Sequence, residues 1–285
     1  MSRRGTTPKR RRGNRKARRR LFQLFGRWPS ARLRRRAWRA LRRASAPVRL
    51  LLGLTGLLGL ALAVNWTYQV IRKPSELFFP VSGALYKTPP KTWRQYAPIF
   101  RANSTPIMTA ELLAAIAQVE GSGNPVARTY WRWTRTSQPF EVFRPASSAV
   151  GMYQFTDGTF AEAKKYCIHD HAVVDDGPWS DWRSCWFNWF YARVVPAHAV
   201  ELASAYLDRH VSMLLEHHGI RNATLVQKAQ LVAVIHLCGA GAGNEYVQRG
   251  FKLLAGQRCG DHEASVYVAR IHTMQAEFVR LAAKD

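Results

Sequence analysis

Glu120 is the residue of this chain best suited to proton transfer. It closes the run Leu112-Leu113-Ala114-Ala115-Ile116-Ala117-Gln118-Val119-Glu120, and Gly121-Ser122-Gly123-Asn124-Pro125 follow. Glu120 lies four residues after Ile116 and seven after Leu113, so helical spacing sets it on the apolar stripe. A carboxylate on a core-facing stripe is costly to charge. It also stands in the last helical turn, where the dipole disfavours negative charge. Both effects favour the protonated carboxyl, the form that can give a proton to a glycosidic oxygen. The plainer reading is a fraying last turn with Glu120 in solvent.

A second segment, Ser147-Ser148-Ala149-Val150-Gly151-Met152-Tyr153-Gln154-Phe155, follows about thirty positions later. There Gly151 would let backbone approach a bound polymer, and Gln154 offers an amide to an N-acetyl group or to the Glu120 loop. The plainer alternative is a glycine turn and a cap. Tyr130, Trp131, Trp133 and Tyr153 offer ring faces for stacking on sugars; most of the remaining Trp are assigned to the core. Glu141 and Asp157 are the candidates for a second carboxylate, should water be the nucleophile. Their preferred reading is a loop carboxylate and a helix-cap residue.

The elements that must position these groups are helices. Thr109 caps the helix ending at Gly121. Further helices are expected from Thr159 to Tyr166, partly within Trp179 to Tyr191, and from Ala197 to His218. Another starts at Asn222 or Thr224 and ends at Gly239, and Asp261 caps the last one, to about Ala283. Strand signals are weak, so the fold class is mainly α.

Upstream the composition changes. The 285-residue chain has a formal charge of +25, but residues 1–50 hold 20 of its 43 Lys and Arg and no acidic residue. The rest, with 23 basic against 18 acidic residues, is nearly balanced. A body-wide nucleic-acid surface is therefore not indicated. Residues 1–48 read as a basic, disordered cytoplasmic tail, within which Leu21 to Leu41 can form an amphipathic helix on anionic lipid. No charge separates Arg49 from Arg72, and Leu50 to Val64 is strongly apolar. With Trp66 and Tyr68 at the interface, residues 49–71 reach the roughly 20 residues that cross a bilayer. The positive-inside rule then leaves the tail in the cytoplasm and sends the body across as a single-pass protein. A signal peptide cleaved near Ala61-Leu62-Ala63 is the alternative, giving a secreted body. Residues 72–107, with six Pro, read as a linker or lead-in, and residues 108–285 as the folded domain.

All four cysteines, Cys167, Cys185, Cys238 and Cys259, follow the apolar segment. Export would take them where disulfides persist. An even count allows three connectivities; nearness in sequence favours Cys167–Cys185 and Cys238–Cys259. A metal site at Cys167-Ile168-His169-Asp170-His171 has no CxxC or HExxH support. No metal or cofactor is expected.

The stretch Ala117 to Pro125 is similar to the catalytic helix end of soluble lytic transglycosylases, the SLT-domain family related to goose-type lysozyme. In that family the Glu is commonly followed by Ser; here Gly121 stands there, with Ser122 next. Ser148 to Phe155 resembles the family's Gly-Ala-x-Gly-Leu-Met-Gln segment, matching at Gly151 and Gln154. Cys238-Gly239-Ala240-Gly241 resembles Tyr-Asn-Ala-Gly, with Cys238 at the Tyr position and Gly239 at the Asn position. The resemblance spans about residues 108–245. It implies a lysozyme-like helical domain with a cleft, standing in the periplasm on a bacterial inner-membrane anchor. It implies cleavage of the MurNAc–GlcNAc β-1,4 bond of peptidoglycan glycan strands with 1,6-anhydro ring closure. Glu120 would be the acid and base, with Ser122, Gly151, Tyr153, Gln154, Tyr130 and Trp131 toward substrate. Because Cys238 replaces the Tyr that approaches the Glu, the orienting role falls to Tyr153 or to a Tyr from the last helices. A lysozyme-like hydrolase is one alternative. The other is a non-catalytic, peptidoglycan-binding assembly protein disabled by Gly121, Cys238 and Gly239.

Overall fold

The computed structural model describes residues 31–285. The first 30 residues of the expected disordered tail lie outside it. The chain separates into two units, residues 1–64 and 65–285.

In the first unit, helix α1 (Ala31–Arg43) carries much of the remaining basic run and overlaps the Leu21 to Leu41 stretch read as able to form an amphipathic helix. Helix α2 (Ala46–Arg72) contains the charge-free stretch. Its Leu50, Leu51, Leu54, Leu57, Leu58 and Leu60 are all exposed. It is long and apolar enough to cross a membrane. At 1.5 Å per residue its 27 residues span about 40 Å, more than the ~30 Å of hydrocarbon in a bilayer.

The second unit opens with the last two turns of α2. Asn65 Nδ2 donates to the Phe143 carbonyl at 2.8 Å and Gln69 Nε2 to the Phe140 carbonyl at 2.7 Å. Short helical turns follow at Pro74–Phe78, Phe79–Ser82 and Gly83–Leu85, then α3 (Pro89–Ala102). The packed body thus begins well before Met108. Trp93, Tyr96, Ala97 and Phe100 of α3 are core residues in a segment expected to be a linker.

Helix α4 (Ala110–Gly121) is the centre of the fold. Leu112 to Ala117 are wholly buried on all sides. Helix α8 (Ala264–Ala282) packs most extensively against it, followed by α3, and α6 (Pro196–His217) touches it; α7 (Leu225–Gln248) packs mainly on α6 and α8. A shorter helix, α5 (Asp157–Ala163), ends earlier than expected because Tyr166 enters a strand. Helix α7 passes the same length and apolarity test as α2, yet Leu231, Val232, Val234 and Ile235 pack in the core. Its first segment ends at Gly239 as expected, where non-helical backbone (φ 83°, ψ 169°) kinks the chain into a second helical segment that reaches Gln248. Thr224 starts it with a complete capping box. Helix α8 starts after Glu263, not at Asp261, which lies in the turn of a hairpin.

Among the described residues the strands make three antiparallel pairs: β1 (Trp131–Trp133) with β2 (Phe143–Pro145), β3 (Tyr166–His169) with β4 (Ala172–Asp175), and β5 (Arg258–Cys259) with β6 (His262–Glu263). The mainly helical fold holds. Both expected disulfides are present, Cys167–Cys185 and Cys238–Cys259. Cys167 sulfur is therefore not available to a metal. Trp93 is a core residue, but Trp179, Trp182 and Trp189 are exposed, against the assignment of most remaining Trp to the core.

Candidate active site

Thr109 accepts from the Leu112 amide and fixes the start of α4. The helix ends when Ser122 turns left-handed (φ 48°), followed by Gly123 (φ 62°). The Ser122 amide donates to the Gln118 carbonyl at 3.0 Å and the Gly123 amide to Ala117 at 3.1 Å. This closure satisfies the carbonyls left over at a helix C-terminus. Ser122 is thus a capping residue, and its own carbonyl accepts the Lys87 amide at 2.8 Å.

The expected linker braces this turn from behind. Gln118 donates to the Lys87 carbonyl at 2.9 Å and accepts from Thr92 Oγ1 at 2.6 Å. Lys87 Nζ donates to the Gly123 carbonyl at 3.0 Å, and burial lowers the pKa of this ammonium. Asn124, fully buried, donates to the Ser82 carbonyl at 2.7 Å.

From the front, the 148–157 segment closes on the helix end. A Cβ on Gly121 would stand 2.8 Å from Met152 Cα. Gly151 (φ 86°) turns its missing Cβ toward the Arg193 carbonyl, 2.5 Å from where that atom would sit. Its close backbone approach is thus to protein rather than to sugar. Gln154 spends its amide N–H groups on the Gly151 and Ala127 carbonyls at 2.8 and 3.1 Å, so it braces the turn. Arg193 clamps the same loop, donating to the Ser148 and Phe155 carbonyls and pairing with Asp157.

Tyr153 is buried, and its hydroxyl donates to the Leu113 carbonyl at 3.1 Å. No ring face remains for a sugar, which corrects the stacking role expected of it. Burial alone raises the pKa of its phenol well above the usual value. Trp131 is half-buried and its indole donates to Glu76 Oε2 at 3.0 Å. Tyr130 and Trp133 keep exposed rings, Trp133 resting 4.6 Å from Phe143. Tyr130 and Trp133 are the most open aromatic faces about this hairpin, with Phe140 less so.

Glu120 itself keeps 17% of its side chain exposed. Tyr267 on α8 donates to Glu120 Oε1 at 2.5 Å. His236 on α7 approaches both, with Nδ1 at 3.3 Å from the Tyr267 hydroxyl and 3.8 Å from Glu120 Oε1. Its Nε2 lies 3.2 Å from the Tyr153 carbonyl. The Tyr267 pKa is pushed well above 10 by burial, then by the neighbouring Glu120. It therefore stays a neutral donor across the physiological range. The position of the family's Tyr is taken by Cys238, which is bonded to Cys259 in the hairpin that leads into α8. The tyrosine hydroxyl that meets Glu120 thus comes from the last helix, and the disulfide ties that helix's lead-in to α7.

Glu141 pairs with Arg72 and Arg144, and Asp157 with Arg193 at 2.6 Å. The sequence reading missed Glu76, a wholly buried carboxylate joined to Lys73 and Arg128, both at 3.3 Å. Lys73 in turn donates to the Ser147 and Ala149 carbonyls. Burial lowers the Lys73 pKa, against the opposing pull of Glu76. His236 was also missed, as one apolar-helix histidine among nine in the chain.

No curated protein matches the chain. Residues 97–229 match the Transglycosylase SLT domain family. That span begins inside α3, contains Glu120 and the 148–157 loop, and ends before His236 and Tyr267. A buried helix ending in an oriented glutamate, inside that span, identifies residues 97–229 as a transglycosylase SLT domain, the lysozyme-like domain of the lytic transglycosylase family.

Proposed function

We propose that this protein is a membrane-anchored peptidoglycan lytic transglycosylase with Glu120 as both general acid and general base. The observation that carries the reading is Tyr267 holding Glu120 Oε1 at the end of a buried helix in an SLT domain. With Oε1 engaged, Oε2 is the oxygen left for substrate. Glu120 gives its proton to the glycosidic oxygen as the bond from that oxygen to muramic C1 breaks. The resulting carboxylate takes the proton of the muramic C6 hydroxyl as O6 bonds to C1. The product is a 1,6-anhydro ring, and no water is consumed. This route needs no second carboxylate, which agrees with Glu141 and Asp157 being engaged by arginines. Tyr130 and Trp133 are the rings proposed to meet the glycan.

Helix α2 is the proposed anchor, with the basic residues before it on the cytoplasmic side and the body in the periplasm. Anionic lipid beside the tail follows from the same charge. The departures at Gly121 and Cys238 do not favour a non-catalytic protein. Gly121 has a packing reason, and Tyr267 supplies the missing hydroxyl.

Glu120→Gln should lower release of soluble muropeptides from purified sacculi on the order of a thousandfold, as for loss of a general acid. Circular dichroism should be unchanged. Wild-type products should carry anhydro ends by mass; reducing ends would make the enzyme a hydrolase, and undiminished release by the variant would remove Glu120 from the mechanism.

A further inference from the structure

The segment between α2 and α3 has its polarity reversed. Nine of the ten residues from Leu77 to Tyr86 are exposed, and all nine are apolar, aromatic or glycine. Leu77, Phe79, Val81 and Tyr86 each keep half or more of their surface open. The polar residues of the same stretch are the hidden ones: Glu76 is wholly buried and Ser82 is 4% exposed. A segment that faces water shows the opposite pattern. Single exposed apolar side chains are ordinary, but a continuous run of them marks an interaction surface.

The run is held firmly in this arrangement. Glu76 pairs with Lys73 and Arg128 and accepts the Trp131 indole N–H. The Arg128 guanidinium lies 3.9 Å from the centre of the Phe79 ring. Asn124 donates to the Ser82 carbonyl at 2.7 Å. In the helical turns at Pro74–Phe78 and Phe79–Ser82 the backbone bonds locally, as contact with hydrocarbon requires.

Position and charge say what covers it. Leu77 comes five residues after Arg72, the end of α2, so the two lie within about 18 Å of each other. The last turns of α2 carry Trp66 and Tyr68, ring types favoured at a bilayer surface. Between Asn65 and Ala110 the one acidic residue is the buried Glu76, whereas Lys91 and Arg94 are exposed. That sign of charge fits anionic headgroups. A glycan fits poorly, because Leu77 to Tyr86 contains no carboxylate, amide or guanidinium side chain to bond sugar hydroxyls.

We propose that residues 77–86 are a second membrane contact, an apolar seat pressed into the surface of the leaflet from which α2 emerges. The proposal rests on α2 being the anchor. The seat backs onto the turn that follows Glu120, where the Lys87 amide donates to the Ser122 carbonyl at 2.8 Å. Seating therefore fixes the tilt of the cleft over the bilayer, where a single helix would let the body swing.

Photocrosslinking tests this. Full-length protein is reconstituted into vesicles of phosphatidylethanolamine and phosphatidylglycerol, with p-benzoylphenylalanine replacing Leu77 or, separately, Leu57 of α2. Irradiation should give lipid adducts, identified by mass, at both positions. Val81→Glu combined with Tyr86→Glu should cut the adduct at 77 about tenfold, through lost apolar contact. The adduct at 57, the melting temperature and muropeptide release from sacculi in detergent should stay unchanged. Lipid at 57 with none at 77 would overturn the seat and leave the anchor standing. Lipid at 77 with none at 57 would uphold the seat and remove α2 as the anchor. A protein dimer crosslinked through 77 in place of lipid would assign the run to a second copy and sink the proposal, as would an adduct at 77 indifferent to the two glutamates.

Discussion

At position 121 the backbone leaves no room for a side chain. Serine is the family's usual residue there, so Gly121→Ser looks like a repair. The 2.8 Å approach to Met152 Cα argues the opposite. A rigid backbone neighbour cannot yield as a flexible side chain would, so the substitution should cost about 1–3 kcal/mol, the range for overpacking. Urea midpoints compare the two proteins, and an equally stable serine variant would show that the loop relaxes. Glu120 itself was legible from its place on an apolar stripe. Tyr267 was not, because it is 147 residues away and nothing in the local pattern of α8 distinguishes it from a core tyrosine. The motif that should have supplied the hydroxyl instead held a cysteine. Gly151 and Gln154 were singled out for a bound polymer, and their partners are the protein's own carbonyls, as in the plainer reading of a glycine turn and a cap.

Among the elements, the segment before α3 changes meaning most. Its prolines suggested a linker, yet Pro74, Pro80 and Pro89–Pro90 stand at the starts of helical turns. There the missing N–H costs nothing and the fixed φ helps. Only Pro98 lies inside a helix. Composition alone cannot separate a proline that starts a helix from one that breaks it. The segment delivers Glu76 into the interior, where one carboxylate holds Lys73, Arg128 and the Trp131 indole. Glu76→Ala would strand a buried Lys73 and a half-buried Arg128, and removing one partner of a buried ion pair costs about 3–5 kcal/mol. The thermal midpoint should fall accordingly, with Trp131 fluorescence shifting to the red as its hairpin loosens. A neutral outcome would mean that Lys73 and Arg128 find other acceptors. The capped helices were readable because their signals are local: Thr109 and Thr224 start α4 and α7. Gly239 likewise marked the end of the first segment of α7; the second helical segment, across the kink, gave no local signal.

For the whole molecule, buried tyrosines set the alkaline limit. Tyr153, Tyr206 and Tyr267 all have raised pKa values, Tyr206 to about 12, with burial the first cause in each. Above pH 10 the unfolded chain loses these protons while the folded chain keeps them. The unfolded state then binds fewer protons, so stability falls as pH rises. Each such tyrosine contributes about 1.4 kcal/mol per unit across its window, fully present below pH 10 and exhausted for Tyr206 near 12. Melting temperature should therefore drop between pH 10 and 12, and a flat profile there would contradict the buried phenols. The Cys238–Cys259 bond acts on the same scale. It joins Cys238, beside the kink of α7 and two residues past His236, to the hairpin that launches α8 toward Glu120. Replacing both cysteines with serine should cost about 2–4 kcal/mol and lower turnover through a looser Tyr267. A reducing compartment would impose the same loosening without any mutation. On the proposed topology the bond is a maturation signal: it would form only after the body leaves the reducing cytosol, and the full alignment of Tyr267 on Glu120 would follow that oxidation.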